Sequence, residues 1–284
     1  MIAMYENYAI QSFLLYLDNK ILTRGQAFTN YSGQLYPINQ NINGVYTYAS
    51  PFAQWVSDTS INNANVPTGV FINGNFIPIG TSGLIDINYN KGQAYFNSQQ
   101  NGTITANYAI KDLNVVIPSV PHIQMLFDTK LELRPKIGQY LTGILDNELT
   151  FPAIFIRQYG GYEKPYAIGG QAKTVSQIAC YIFANSQFLL DATCSILRDS
   201  QFDYIPLLMS GDSPYNIYGG FKNAIPYNYA NLTNNRVANG SGILVEKVII
   251  TDFSRRIFSQ TQNLTPNCFF GMAEFDIFKD RIPQ

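Results

Sequence analysis

Between Thr174 and Arg198 the hydrophobic pattern of the chain changes period. Val175 to Phe183 is rich in β-branched and aromatic residues, as a buried strand is. Ala184-Asn185-Ser186 follows with helix-start chemistry. Asn and Ser side chains accept bonds from first-turn N–H groups that have no helical partner. From Gln187 the spacing turns helical. Phe188, Ala192 and Ser195/Ile196 share one face, and Leu189, Thr193 and Leu197 lie close beside it. A buried strand running into an amphipathic helix predicts a helix packed on a sheet.

Other segments carry equally plain patterns. Ile10, Phe13, Leu14, Leu17 and Ile21 recur at three and four residues, which predicts a helix over 4–22 stopped by Gly25. Residues 27–43 are polar and aperiodic and predict an extended arm or long loop. From 44 to 117 short alternating runs are separated by turns at Asn73-Gly74, Asn90-Lys91-Gly92 and Asn101-Gly102. Asn-Gly between alternating runs is a strong hairpin signal, because both central residues of a type I′ turn need positive φ. The result is an antiparallel β-meander, part of a sandwich or small barrel. Trp55, the sole tryptophan, is expected under that sheet. Beyond the PSVP break at 118–121, strands are expected over 127–136, 149–157, 204–209, 243–253 and 271–278, and a short helical turn over 137–145. Gly-, Tyr- and Asn-rich loops are expected over 157–173 and 210–242. The domain organisation expected is an N-terminal helix and arm (1–43), an antiparallel β-domain (44–117) and an α+β domain (118–284).

Composition narrows the function classes. Charged residues make up 13% of the 284, about half the usual ~25%, while Tyr (20) and Phe (19) are abundant. A surface of amides, hydroxyls and aromatic rings suits broad protein–protein contact, where Lys and Glu are depleted. Drift in an AT-rich genome produces the same bias. The net charge of −1 argues against a sequence-specific nucleic-acid binder, which needs a basic stripe; Arg255-Arg256 is the densest basic spot. The N-terminus has no positive n-region or small-residue cleavage site, and no apolar run approaches ~18 residues, so neither a signal peptide nor a membrane span is expected. Cys180, Cys194 and Cys268 are odd in number, lack CxxC spacing and sit in apolar surroundings, which predicts buried thiols.

Candidate chemistry is thin. The single histidine, His122, lies between Pro121 and Ile123 with no nucleophile motif nearby. Glu274 and Asp276 stand two apart on an expected strand, and a glycosidase pair needs carboxyls ~5–9 Å apart. Alternation places Met272, Glu274, Asp276 and Phe278 on one, solvated face and Ala273, Phe275 and Ile277 on the buried one. Gly169-Gly170-Gln171-Ala172-Lys173-Thr174 fails as a phosphate loop, since Lys173 does not follow a Gly and precedes a strand. No catalytic, cofactor or metal site is expected. A carbohydrate-binding module or glycoside hydrolase stays open through the aromatic residues Tyr162, Tyr166 and the Tyr215–Tyr229 loop.

Several stretches carry a resemblance. GVFINGNFIPIGTSGLIDINYNKGQAYF (69–96) and YAIKDLNVVI (108–117) resemble virion structural proteins of marine contractile-tailed bacteriophages. LFDTKLELRPKIGQYLTGILDNELTFPAIFI (126–156), GGQAKTVSQIACYIFANSQFLLDATCSIL (169–197) and GMAEFDIF (271–278) extend it over most of the chain. The element order after residue 120 is similar to the neck and tail-terminator family, which closes the tail tube and joins it to the head. The resemblance implies a β-rich α+β fold: a tail-terminator-like sheet-plus-helix domain with an inserted antiparallel sandwich or barrel. It also implies a homohexameric ring, contacts with tail tube, sheath and connector, DNA passing through the ring, a place in the virion after assembly in the host cytoplasm, and no catalytic residues. Another virion part, such as a baseplate, fibre or head-decoration protein, is the alternative.

Overall fold

The computed structural model describes residues 4–42, 44–118, 152–165, 172–209, 212–237, 242–252 and 269–281. The fold is β-rich α+β, with two curled sheets and few helices. Helix α1 spans Met4–Gly25. Strands β1 (Phe28–Ile42), β2 (Val45–Ala49), β3 (Gly69–Ile72), β4 (Asn75–Pro78), β5 (Leu84–Asn88), β6 (Gln93–Phe96) and β7 (Ile104–Lys111) form a seven-stranded sheet in the order β4-β3-β7-β1-β2-β6-β5. A six-stranded sheet follows. Its strands are β8 (Asn114–Val116), β9 (Ala153–Pro165), β10 (Ala172–Ala184), β11 (Tyr204–Pro206), β12 (Gly242–Asp252) and β13 (Phe269–Arg281), ordered β11-β12-β13-β10-β9-β8. Helices α2 (Gln187–Arg198) and α3 (Tyr229–Val237) complete the fold. The expectations at His122, Tyr166, Cys268, 127–136 and 137–145 lie outside the described residues.

The polar segment 27–43, expected as an arm or loop, is a strand from Phe28 to Ile42. Phe28–Leu35 pairs with β7 and the second half with β2. Of its side chains up to Ile38, only Leu35 is buried. Ladder bonds to two neighbours hold a sequence whose side chains do not ask for burial, an instance of context overriding β-propensity. The Asn73-Gly74 hairpin forms as expected, with φ of 50° and 84° joining β3 to β4. Trp55 is buried and stacks on Tyr108, ring centroids 4.4 Å apart.

One core runs through both sheets, with α1 between them. Phe13 of α1 meets Phe275 of β13 edge-on at 4.9 Å, and Leu22 joins Val56, Ile61 and Ala109 beside the first sheet. Buried polar groups pin the same helix. Asp18 takes both carboxylate oxygens to Lys111 of β7 (2.7 and 2.8 Å), a pair about nine-tenths buried. Asp58 accepts from Asn19 and from the Tyr229 backbone N–H, tying α1 to the start of α3. Lys20 and Tyr16 both reach Asp203 just before β11.

Helix α2 starts as expected: the Ser186 hydroxyl accepts from the Leu189 N–H. Its buried face differs from expectation. Leu190, Thr193, Cys194 and Leu197 are buried, while Phe188 is 84% exposed. The sequence QFLLDATCSILR holds two overlapping stripes, and β13 selects between them. Gly271 has no side chain, and a Cβ built there would stand 2.9 Å from Leu190 Cδ1.

Candidate interaction surface

Alternation along the long strands of the six-stranded sheet separates its two faces. Ile178, Cys180 and Ile182 of β10, with Ala273, Phe275 and Ile277 of β13, face the helices. Burial holds the Cys180 thiol protonated, well above its ordinary pKa, so this thiol is packing material, as expected. Met272, Glu274 and Asp276 lie on the opposite, outer face as the pattern of GMAEFDIF predicts, half-buried, whereas Phe278, expected to be solvated with them, is buried under Lys173.

On this outer face a bulge re-aims one tyrosine. Gly160 pairs with Gln177 and Gln158 with Ile178, so Tyr159 has no partner on β10. Its hydroxyl reaches over β10 and donates to Glu274 Oε1 at 3.4 Å. Burial first, then the charges of Glu274 and Asp276, raise the phenol's pKa and keep it a donor. Gln177 Nε2 donates to Asp276 Oδ1 at 3.2 Å. Arg157, Tyr159, Tyr181, Met272 and Glu274 line a shallow depression of about 250 Å³. Lys164 of β9 lies 3.9 Å from Glu246 of β12, across the two intervening strands, so the sheet curls toward this face. Both carboxylates of the expected i, i+2 pair therefore act as hydrogen-bond acceptors, and Glu274 does so in a shallow, polar-aromatic hollow. Such a hollow can hold a surface group of another molecule, and it contains no paired nucleophile and base.

The tyrosines named for an aromatic platform divide, with Tyr162 and Tyr218 exposed and three of the 215–229 loop turned inward. Tyr227 and Tyr229 are buried, and Tyr215 turns inward to meet Ser57 Oγ (2.7 Å) and the Tyr227 ring. Tyr162 is exposed, on β9, and Lys173 and Thr174 of the rejected phosphate-loop match lie on β10. Residues 157–165, expected as loop, continue β9 through Gly160-Gly161 to Pro165. Among the described residues no group of three or more His, Cys, Asp or Glu is gathered, and no helix is long and apolar enough to cross a membrane.

No family model, curated protein or solved structure matches this chain.

The two sheets treat their edges differently. In the seven-stranded sheet, β4 is short and ends in Pro78. Its other edge, β5, is covered by the 216–220 turn. Asn216 donates to Asp86, and the Tyr89 N–H bonds the Gly219 carbonyl at 3.4 Å. That turn fits because Gly219 takes φ +80° and a Cβ on Gly220 would strike the Asp86 carboxylate. In the six-stranded sheet, β8 covers only Ala153–Phe155 of β9. Beyond it a groove of about 560 Å³ runs between α1 (Glu6, Asn7, Ile10), the end of β8 (Ile117, Pro118) and β9 from Ile156 to Gly161. On the far side, β11 covers Gly242–Leu244 of β12, and residues 201–203 bond Val245 and Glu246. Among the described residues, Gln158–Tyr162 of β9 and Lys247–Thr251 of β12 have no strand on their outward sides. Sequence reasoning missed both edges. The signal available was Gly160-Gly161 with flanking tyrosines, which the loop reading absorbed.

Proposed function

We propose that this chain is a structural subunit of a phage virion, a neck or tail-terminator ring component that joins tail tube to connector. The observation that carries the reading is the six-stranded sheet. It bears helices on one face and, among the described residues, leaves strand edges without a neighbour on both flanks, whereas the other sheet ends in a short strand stopped by Pro78 on one side and in a strand covered by a turn on the other. A sheet left open at both sides suits head-to-tail assembly of identical copies, which closes into a ring when the rotation allows. The β-sheet with α2 on one face agrees with the tail-terminator-like domain that the resemblance implies, and the seven-stranded sheet with its inserted domain. Low charge and an aromatic, amide-rich exterior agree with extensive protein contact and with DNA passing through without sequence-specific binding. In this reading the chain performs no catalysis and its neighbours are its own copies, tail tube, sheath and connector.

The hollow at Tyr159, Tyr181 and Glu274 favours one second reading, a carbohydrate-recognition surface. Electron cryo-microscopy of particles carrying the protein separates the two. Density for a closed ring at the head–tail junction supports the first. Glycan-array binding that Glu274→Gln abolishes, with no junction density, supports the second.

A further inference from the structure

We propose that neighbouring copies join by strand addition, the Gln158–Tyr162 edge of β9 in one copy pairing antiparallel with the Lys247–Thr251 edge of β12 in the next. This rests on the ring reading above and names its joint.

Strand direction is the first argument. The contacts β9–β10, β10–β13 and β13–β12 are all antiparallel, so β9 and β12 run in opposite senses. Copies related by rotation about an axis roughly along the strands keep their direction. The β12 of the next copy then lies antiparallel to β9, and the ladder continues without inversion. A β9–β9 joint would need a two-fold axis and would leave both β12 edges open.

Position is the second argument. Gly160, Gln177, Asp276 and Lys247 form one row across the sheet. From that row Gly161 and Tyr162 of β9 extend toward one end and Val248–Thr251 of β12 toward the other, with Gln158 and the bulged Tyr159 on the same side as Val248–Thr251. The pairing therefore staggers successive copies along the strands, and a closed ring absorbs such stagger as strand tilt.

Side-chain fit is the third. On β12, Val248 and Ile250 point to the helix side and are only half-buried, while Ile249 on the outer side is 41% exposed. The groove beside β9 offers Ile10 and Ile117, over the buried Ile156. Tyr162, 45% exposed, is on the outer side, opposite Lys247 in this pairing and diagonal to Ile249, where a large ring still reaches its neighbour. Gly160-Gly161 carries no side chain against an incoming strand, and the bulge at Tyr159 bounds the ladder on that side.

The test is Tyr162→Cys combined with Ile249→Cys in the full chain, treated with a short thiol-reactive crosslinker, alongside each single variant. Both positions are exposed, so thermal unfolding of the variants should match that of the parent. The expected result is a ladder of covalent oligomers from the double variant, ending at the ring size, and monomer from each single variant. Covalent dimer from Tyr162→Cys alone would show a two-fold joint and overturn the proposal. No crosslinking while native mass spectrometry still shows the ring would overturn the joint and leave the ring reading standing, as when another segment or virion protein fills the groove. Monomer throughout would overturn both.

Discussion

At the scale of single residues, stability rests on a few buried polar groups around α1. Asp18 and Lys111 pair in a site where each side chain is about 10% exposed. Removing one partner strands the other charge in a poor solvent, which costs about 3–5 kcal/mol. Asp18→Ala should lower unfolding free energy by that order in urea, and Asp18→Leu with Lys111→Met should recover most of it. Full destabilisation in the double variant would mean the pair is more than a local compensation. Five tyrosines, Tyr16, Tyr89, Tyr215, Tyr227 and Tyr229, have phenols raised chiefly by burial. Below about pH 10 both folded and unfolded chains keep these protons. Above it the unfolded chain releases them and the folded one does not, so stability falls as pH rises. Urea unfolding followed by tyrosinate absorbance from about pH 7 to 12 should show a plateau and then a decline, with these phenols ionising only on unfolding. Phenols that all titrate near the ordinary value in the native state would contradict the burial.

At the scale of elements, legibility followed how locally each feature is determined. The Asn73-Gly74 hairpin, the Ser186 cap and the alternation of β13 were readable because each depends on a few adjacent residues. The phase of α2 was not. Phe188 and Leu190 are both apolar, and which one is covered is settled by partners distant in sequence, among them Gly271, whose missing side chain leaves room for Leu190. Leu190→Ala should cost about 2–5 kcal/mol by cavity formation. Phe188→Ser should stay within about 0.5 kcal/mol. Comparable losses at the two positions would mean the helix is rotated from the face described. Strand β1 was illegible for a related reason. Its polar side chains carry no period, and although β2 follows it directly, the pairing of its first half comes from β7, which stands far away in sequence. The tyrosines of 215–229 looked like a platform because aromatic content says nothing of direction. Ser57 and Asp58 draw that segment inward.

At the scale of the whole molecule, the α+β class and β-rich character were legible, and the interaction surface was not. Open edges are properties of what a strand lacks beside it, and they emerge only when β8 stops at Val116 and β11 at Pro206. The seven-stranded sheet shows that this chain has means to close an edge, with Pro78 on one side and the Asn216–Gly220 turn on the other. Among the described residues Gln158–Tyr162 and Lys247–Thr251 have no strand on their outward sides, and the proposed assembly accounts for this difference between the sheets. The most direct measurement is native mass spectrometry of the purified full chain across a concentration series. The account predicts one closed species, a hexamer, that persists on dilution and loses its closure when Ile249 is replaced by Lys. A monomer at every concentration, for the parent chain and for Ile249→Lys alike, would contradict it.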